Sequence, residues 1–181
     1  MKTLITSLVI GLAVLTAGCS SNQSNGKSAD QKVDLIASLA EARKPLFDRL
    51  IEPLEKDKAI IAASFANIDN LSSSSTFGRM ASEIITAGLT DRGYKVIEVK
   101  MRDNLFIKQR AGEFMLSRKL QNISQAHDAQ AVLLGTYAIG GENLYVNTRL
   151  VRTTDNVVIG SHDFVLPINN DIKYLLNHGR K

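Results

Sequence analysis

The order of apolar segments after residue 58 limits the folds open to this 181-residue chain more than any other feature. Ala59–Ala66 is a short apolar run that predicts a buried strand, and Phe77–Leu89 carries an apolar stripe with helical spacing. Ser75 or Thr76 is the expected N-cap of this helix, and Gly93 fits the left-handed position after its end. The later predicted elements are a strand at Tyr94–Lys100, a polar connection at 101–111, a helix at Glu113–Asp128, and strands at Ala131–Ile139, Tyr145–Arg152 and Val157–Leu166.

This β-α-β-α-β-β-β order predicts an α/β (α+β) fold built on a mixed sheet of about five strands. The first three strands should be parallel, because a helix that joins two strands of one sheet makes a right-handed crossover between parallel neighbours. Turn signals at Gly140-Gly141 and Thr154–Asn156 predict that the last three strands form an antiparallel meander. We expect the helices to pack on one face of this sheet, in a domain spanning 58–167.

A helical preface is predicted at 32–57 and a short tail at 168–181. Pro45 and Pro53 interrupt the helical pattern, so a break or kink is expected near Lys44. Charges of both signs on the polar face indicate a helix packed on its own domain rather than on a membrane surface. The tail is expected to form a short helix that ends near Asn177 and His178.

The N-terminus has the features of an export signal at residues 1–18. Lys2 precedes the 12-residue apolar segment Leu4–Leu15, which is too short to span a bilayer comfortably. The residues Leu15-Thr16-Ala17-Gly18-Cys19 resemble the bacterial lipobox, which implies diacylglycerol on the Cys19 sulfur, cleavage before Cys19 and acylation of the new amine. The alternatives are a cleaved signal peptide with an unrelated cysteine, or a retained anchor helix.

The segment that follows Cys19 is predicted to be a flexible tether over 19–31. Residues 20–31 contain no large apolar side chain and are rich in Ser and Asn, so their expected reach is about 20 Å. Ser20 occupies the position at which Asp retains enteric-type lipoproteins in the inner membrane. By that sorting rule the chain is expected at the outer membrane of a Gram-negative cell.

Composition excludes several classes of function. The net charge is only +4, which argues against a nucleic-acid partner. One cysteine permits no intramolecular disulfide, and three histidines give no metal-ligand spacing, so neither metal nor cofactor is expected. The chain has no G-x-S-x-G elbow and no phosphate-binding loop motif, and we therefore predict a protein that is not an enzyme and has no catalytic residues.

Two groups of polar residues are candidate binding sites. Ser72–Ser75 precedes a predicted helix and could bind an anion at its N-terminus, although a capped loop is the favoured interpretation. The other group is expected beyond the carboxyl ends of the parallel strands, where open α/β sheets bind ligands. It could bind a partner loop or a glycan, but salt bridges and caps that order the loops are the more common role. Its members are Asn67, Asp69, Arg102, Asp103, Glu113, Ser117 and Arg118.

The histidines are expected to be structural. His127 lies at the end of a predicted helix, where a cation complements the helix dipole. His162 lies in a predicted strand and His178 in the tail, and neither has a partner at ligand spacing.

Several segments resemble the FlgO family of flagellar outer-membrane lipoproteins over roughly 59–166. The matching segments are Ser64–Asn67 with Asp69, Gly78-Arg79 with Ser82-Glu83, Arg92–Val96, Arg102-Asp103, Gly112–Arg118, Ala131–Tyr137 and Val146–Leu150. The resemblance implies a non-enzymatic lipoprotein near the flagellar basal body, needed for flagellar stability or motility. The family offers no catalytic or ligand residues to transfer, so Cys19 is the single site residue carried over.

Two main hypotheses follow. The first is an outer-membrane-anchored lipoprotein that supports the flagellum, with basal-body components or other outer-membrane lipoproteins as partners. The alternative is a cell-envelope module that binds a glycan or small molecule near Asn67, Arg102 and Asp103. A hydrolase is the third and weakest option, and homo-oligomerisation through an exposed strand edge is left open.

Overall fold

The structure is a computed structural model that describes residues 33–99, 106–108 and 114–178. The predicted signal peptide (1–18), the tether (19–31) and Cys19 lie outside these residues. The helices are α1 (Leu35–Asp48), α2 (Thr76–Asp91), α3 (Arg118–Ala126) and α4 (Asn170–Asn177). The strands are β1 (Ala59–Ala63), β2 (Ala66–Asn67), β3 (Lys95–Val99), β4 (Phe106–Lys108), β5 (Phe114–Leu116), β6 (Ala129–Ile139), β7 (Asn143–Arg152) and β8 (Val158–Pro167).

The main sheet has six strands and is mixed, as predicted. Its order is β3-β1-β6-β7-β8, and the short β2 pairs with the second half of β6. Strands β3, β1 and β6 run parallel, and β6, β7 and β8 form the expected antiparallel meander. The α+β fold class and the parallel beginning of the sheet are therefore confirmed.

Two apolar clusters cover opposite faces of the sheet, because successive side chains of a strand point to opposite sides. The larger cluster contains Ile60 and Leu133 from the sheet and is covered by α1, α2 and α4. In α2 the buried residues Phe77, Ala81, Ile85 and Leu89 form the predicted helical stripe. The smaller cluster lies on the opposite face, where α3 contributes the fully buried Leu120. Both clusters lie within the described residues.

Three local predictions were wrong. The apolar run Ala59–Ala66 is not one strand, because Ser64 and Phe65 separate β1 from β2. A break or kink was predicted near Lys44, and the break does not occur: α1 continues through Pro45 to Asp48, and the last turn holds the buried side chains Leu46 and Phe47 in the core. Burial of those two side chains accounts for the continuation of the helix after the proline.

The third wrong prediction is the start of the helix at Glu113. Phe114–Leu116 is a strand paired antiparallel with Phe106–Lys108, so the polar connection predicted at 101–111 also contains a strand. Helix α3 begins only at Arg118, because the Ser117 hydroxyl accepts a hydrogen bond from the Leu120 N–H at 3.2 Å and caps it.

The predicted helix ends agree with the structure. Ser75 is the N-cap of α2, and its side chain accepts a hydrogen bond from the Gly78 N–H. Gly93 follows the C-cap with φ +79°, the left-handed conformation that glycine adopts without strain. The tail forms α4, which ends at Asn177 with His178 as its C-cap, as expected.

Candidate functional site

The serine-rich loop before α2 is a structural cap. The Ser74 hydroxyl donates to the Phe65 carbonyl at 2.8 Å. Ser75 is 2% exposed, and its hydroxyl accepts both the Gly78 N–H and the Tyr137 hydroxyl, the latter at 2.8 Å. Both hydroxyl groups form hydrogen bonds within the domain, which agrees with the favoured interpretation of a capped loop.

Removing the Tyr137 hydroxyl tests this capping network. We expect Tyr137→Phe to lower the free energy of unfolding by about 1–2 kcal/mol, because the buried Ser75 hydroxyl and N–H both lose a partner. Urea denaturation measures the change. Tyr145→Phe is the matched control, since that ring is 52% exposed and should cost almost nothing. Equal stability of the two variants would contradict this role of the hydroxyl.

The polar group predicted at the carboxyl edge of the sheet is only partly described. Asn67 ends β2 at this edge and turns the chain, because its side-chain oxygen accepts the Asp69 N–H at 2.9 Å. Ser117 caps α3, and Arg118 is exposed at its first turn. Arg102, Asp103 and Glu113 lie outside the described residues, so binding at this edge stays a prediction.

The three histidines are not brought together. His127 is the C-cap of α3, the structural position predicted for it. The ring of His162 stacks with that of Phe164, with 6.0 Å between the ring centroids. The ring of His178 stacks on that of Tyr174, with 3.7 Å between the centroids. Within the ranges 33–99, 106–108 and 114–178, no three His, Cys, Asp or Glu residues form a group that could hold a metal ion.

An ion-pair network not predicted from the sequence joins the β7–β8 turn to the segment before β1. Arg152 forms two hydrogen bonds with the Asp155 carboxylate, at 2.9 and 2.6 Å, and also pairs with Glu52. The guanidinium of Arg152 lowers the pKa of Asp155, helped by the Val157 N–H, and the pairing with Asp155 raises the pKa of Arg152. The Arg-x-x-Asp spacing across the turn could have indicated the pair Arg152–Asp155 from the sequence. No local spacing indicates the contact with Glu52, because 100 positions separate the two residues.

A polar cavity of about 350 Å³ lies at the amino end of β6, opposite the edge favoured by the sequence. Gln125 of α3, Asp128 and Thr154 line it, together with Asn156 of the β7–β8 turn. The side-chain oxygen of Asn156 is buried without a hydrogen-bond partner.

Two of the surfaces that expose large apolar side chains also border a cavity. The first, here called the open sheet face, contains Tyr145 and Val165, each 52% exposed beside a cavity of about 340 Å³. The second, called the α1–α4 patch, contains Ile36 and Tyr174, which are 63% and 62% exposed. In the described part of the chain no helix is long and apolar enough to cross a membrane.

Comparison with solved structures defines the class of fold. The C-terminal domain of LpoB from Salmonella enterica matches with a TM-score of 0.50 and 13% identity, over 72% of this chain and 98% of that domain. The PelC dodecamer from Paraburkholderia phytofirmans matches with a TM-score of 0.42 and 17% identity, over 65% of this chain and 77% of the PelC chain. Lipoprotein GNA1162 from Neisseria meningitidis matches with a TM-score of 0.40 and 16% identity, over 63% of this chain and 85% of the GNA1162 chain. The fold is thus similar to that of the LpoB domain.

The family model described as FlgO protein matches residues 42–171, well over half of the chain. This chain therefore belongs to the FlgO family, as its sequence motifs indicated. The match starts within α1 and ends within α4, so it extends beyond the segments that carried the resemblance. No curated protein matches the chain. Membership of this family fits a non-enzymatic lipoprotein module of the bacterial envelope.

Proposed function

We propose that this protein is an outer-membrane lipoprotein that supports flagellar assembly, stability or motility through non-enzymatic contacts. Membership of the FlgO family over residues 42–171 is the observation that carries the proposal. The lipobox-like residues before Cys19 supply the anchor: residues 1–18 are removed, Cys19 carries the lipids, and 19–31 tether the domain of 58–167. The expected partners are the membrane and components of the basal body or other outer-membrane lipoproteins.

The geometry of the described residues suits this role. Hydrogen bonds within the fold engage the side chains of Ser74, Ser75 and Ser117, and Arg152 is paired with carboxylates. The histidines are separated in space. The open sheet face and the α1–α4 patch each expose large apolar side chains beside a cavity, and exposed apolar patches mark interaction sites. Contacts between macromolecules, rather than chemistry on a small substrate, are what such surfaces support.

Deletion of the gene tests the flagellar role. We expect a deletion strain to lose swimming motility or to shed its filaments, because the filament base would lack a supporting envelope component. Motility agar and electron microscopy measure the effect, and expression of the intact chain should restore it. A deletion strain that swims normally with intact filaments would refute the flagellar part of the proposal.

A further inference from the structure

The α1–α4 patch is apolar surface that core packing does not explain. Helix α4 buries Ile172 and Leu176, four residues apart, while Tyr174 lies between them and points away from the core. Helix α1 buries Leu39, Ala42, Leu46 and Phe47, and Ile36 at its first turn stays exposed. Val33, Leu35 and Leu175 pack partly against the core, and with Met80 and the two exposed side chains they line a cavity of about 460 Å³.

The patch is close in sequence to the proposed lipid anchor, and the inference rests on that proposed function. Val33, in the lining of the patch, follows Cys19 by 14 residues. Whatever its conformation, a 14-residue segment spans at most about 50 Å, from roughly 3.3–3.6 Å per residue. An anchored chain therefore holds the patch near the bilayer at a high effective concentration, so even a weak affinity for lipid is sufficient.

The chemistry of the patch fits the interface between lipid headgroups and acyl chains. Tyr174 presents an aromatic ring with a polar hydroxyl, the combination that is enriched at membrane interfaces, and its ring is ordered by stacking on His178. Asp34 and Asp171 lie in the lining and Lys173 lies beside it, so the patch has no net positive charge. Attraction to anionic lipid is thus not its source of affinity.

We propose that the α1–α4 patch docks on the surface of the membrane that carries the Cys19 anchor, with Ile36 and Tyr174 entering the interfacial layer. The buried faces of α1 and α4 remain packed on the domain. The sequence predicted this packing for 32–57 without a membrane contact, so the proposal departs from that prediction at the exposed Ile36. Docking orients the domain, and it leaves the open sheet face, which lies on the other side of the sheet, free for a protein partner.

The composition of the chain permits a direct test. The sequence has no tryptophan and a single cysteine, so one substitution introduces a unique fluorophore and Cys19 provides a unique coupling point. Processed chain beginning at Cys19 is coupled through its thiol to maleimide lipid in phosphatidylethanolamine–phosphatidylglycerol vesicles. In Tyr174→Trp we expect a blue-shifted emission and quenching by brominated lipids, both unchanged by added salt.

Two variants control this experiment. Tyr145→Trp places the indole on the open sheet face at similar exposure and should show neither shift nor quenching. Adding Ile36→Glu to Tyr174→Trp should abolish both signals, and circular dichroism should confirm that the fold is retained, because Ile36 is exposed.

Three results would overturn the inference. The first is an emission from Trp at position 174 that does not shift on the coupled vesicles, and the second is equal quenching of Trp at position 145. The third is an emission shift that depends on protein concentration in the absence of vesicles, which would indicate a second copy of the chain as the occupant. Because the coupling is chemical, the test is independent of native lipidation. The mass of the native N-terminus reports separately on the proposed anchor.

Discussion

Replacing Gly135 by alanine is expected to lower the free energy of unfolding by about 3 kcal/mol, through overpacking. A Cβ built on Gly135 lies 2.3 Å from the ring of Phe65, far inside van der Waals contact. The Phe65 side chain is completely buried, so its ring has no free space to move into. Its backbone is held as well, because its N–H donates to the Gly78 carbonyl and its carbonyl accepts the Ser74 hydroxyl. The methyl group must therefore displace the ring or spread β6 from β2.

Gly141→Ala is the matched control for this substitution. A Cβ at Gly141 meets no atom within 4 Å, so the change in the free energy of unfolding should stay within about 0.5 kcal/mol. Urea denaturation of both variants gives the comparison. In addition, Phe65→Leu combined with Gly135→Ala should be less destabilised than the two single changes predict together, since the two residues share one space. Equal stability of Gly135→Ala and Gly141→Ala would refute the packing explanation.

Cys19→Ser is expected to remove the protein from the membrane fraction or to leave its signal peptide uncleaved. A serine oxygen cannot form the thioether on which lipid attachment and processing depend. Each buried methylene of an acyl chain contributes about 0.8 kcal/mol, so several chains anchor the protein permanently, whereas one chain binds reversibly.

Ser20→Asp is the matched control for the anchor. It keeps the sulfur, so the protein should stay lipidated, but by the sorting rule it should move to the inner membrane. Membrane fractionation and the intact mass of the mature protein distinguish these outcomes. A native chain that begins at another residue, or that carries an unmodified thiol at Cys19, would refute the lipoprotein assignment.

Local sequence patterns predicted most elements of the fold. The stripe from Phe77 to Leu89 and the cap at Ser75 depend on residues within a few positions of one another, and both are confirmed. The predicted start of the second helix at Glu113 was wrong, because the structure there depends on contacts with residues outside the local pattern. Leu116 continues the helical spacing of Leu120 and Ile123, but the strand pairing of Phe114–Leu116 with Phe106–Lys108 involves residues that no local period connects.

The candidate binding residues show the same division. The capping role of Ser75 was predicted from its position before an apolar helical segment. That of Ser117 was missed, because the predicted helix began at Glu113 and so placed Ser117 inside it. The contact between Arg152 and Glu52 was not, because 100 residues separate the two side chains in the sequence. The polar cavity at Asn156 likewise arises where α3 meets the β7–β8 turn, and that meeting has no signature in either segment.

The sequence alone identified the family and predicted the order of the helices and the longer strands, because motifs and hydrophobic periodicity are properties of neighbouring residues. It also predicted an anchor at Cys19, and it missed the short strands β2, β4 and β5. Only the tertiary structure decided which apolar side chains stay outside the core. Ile36 and Leu39 are both apolar residues of α1, yet one is 63% exposed and the other is fully buried. Burial depends on which other elements cover a residue, and that is settled only when the helices pack on the sheet.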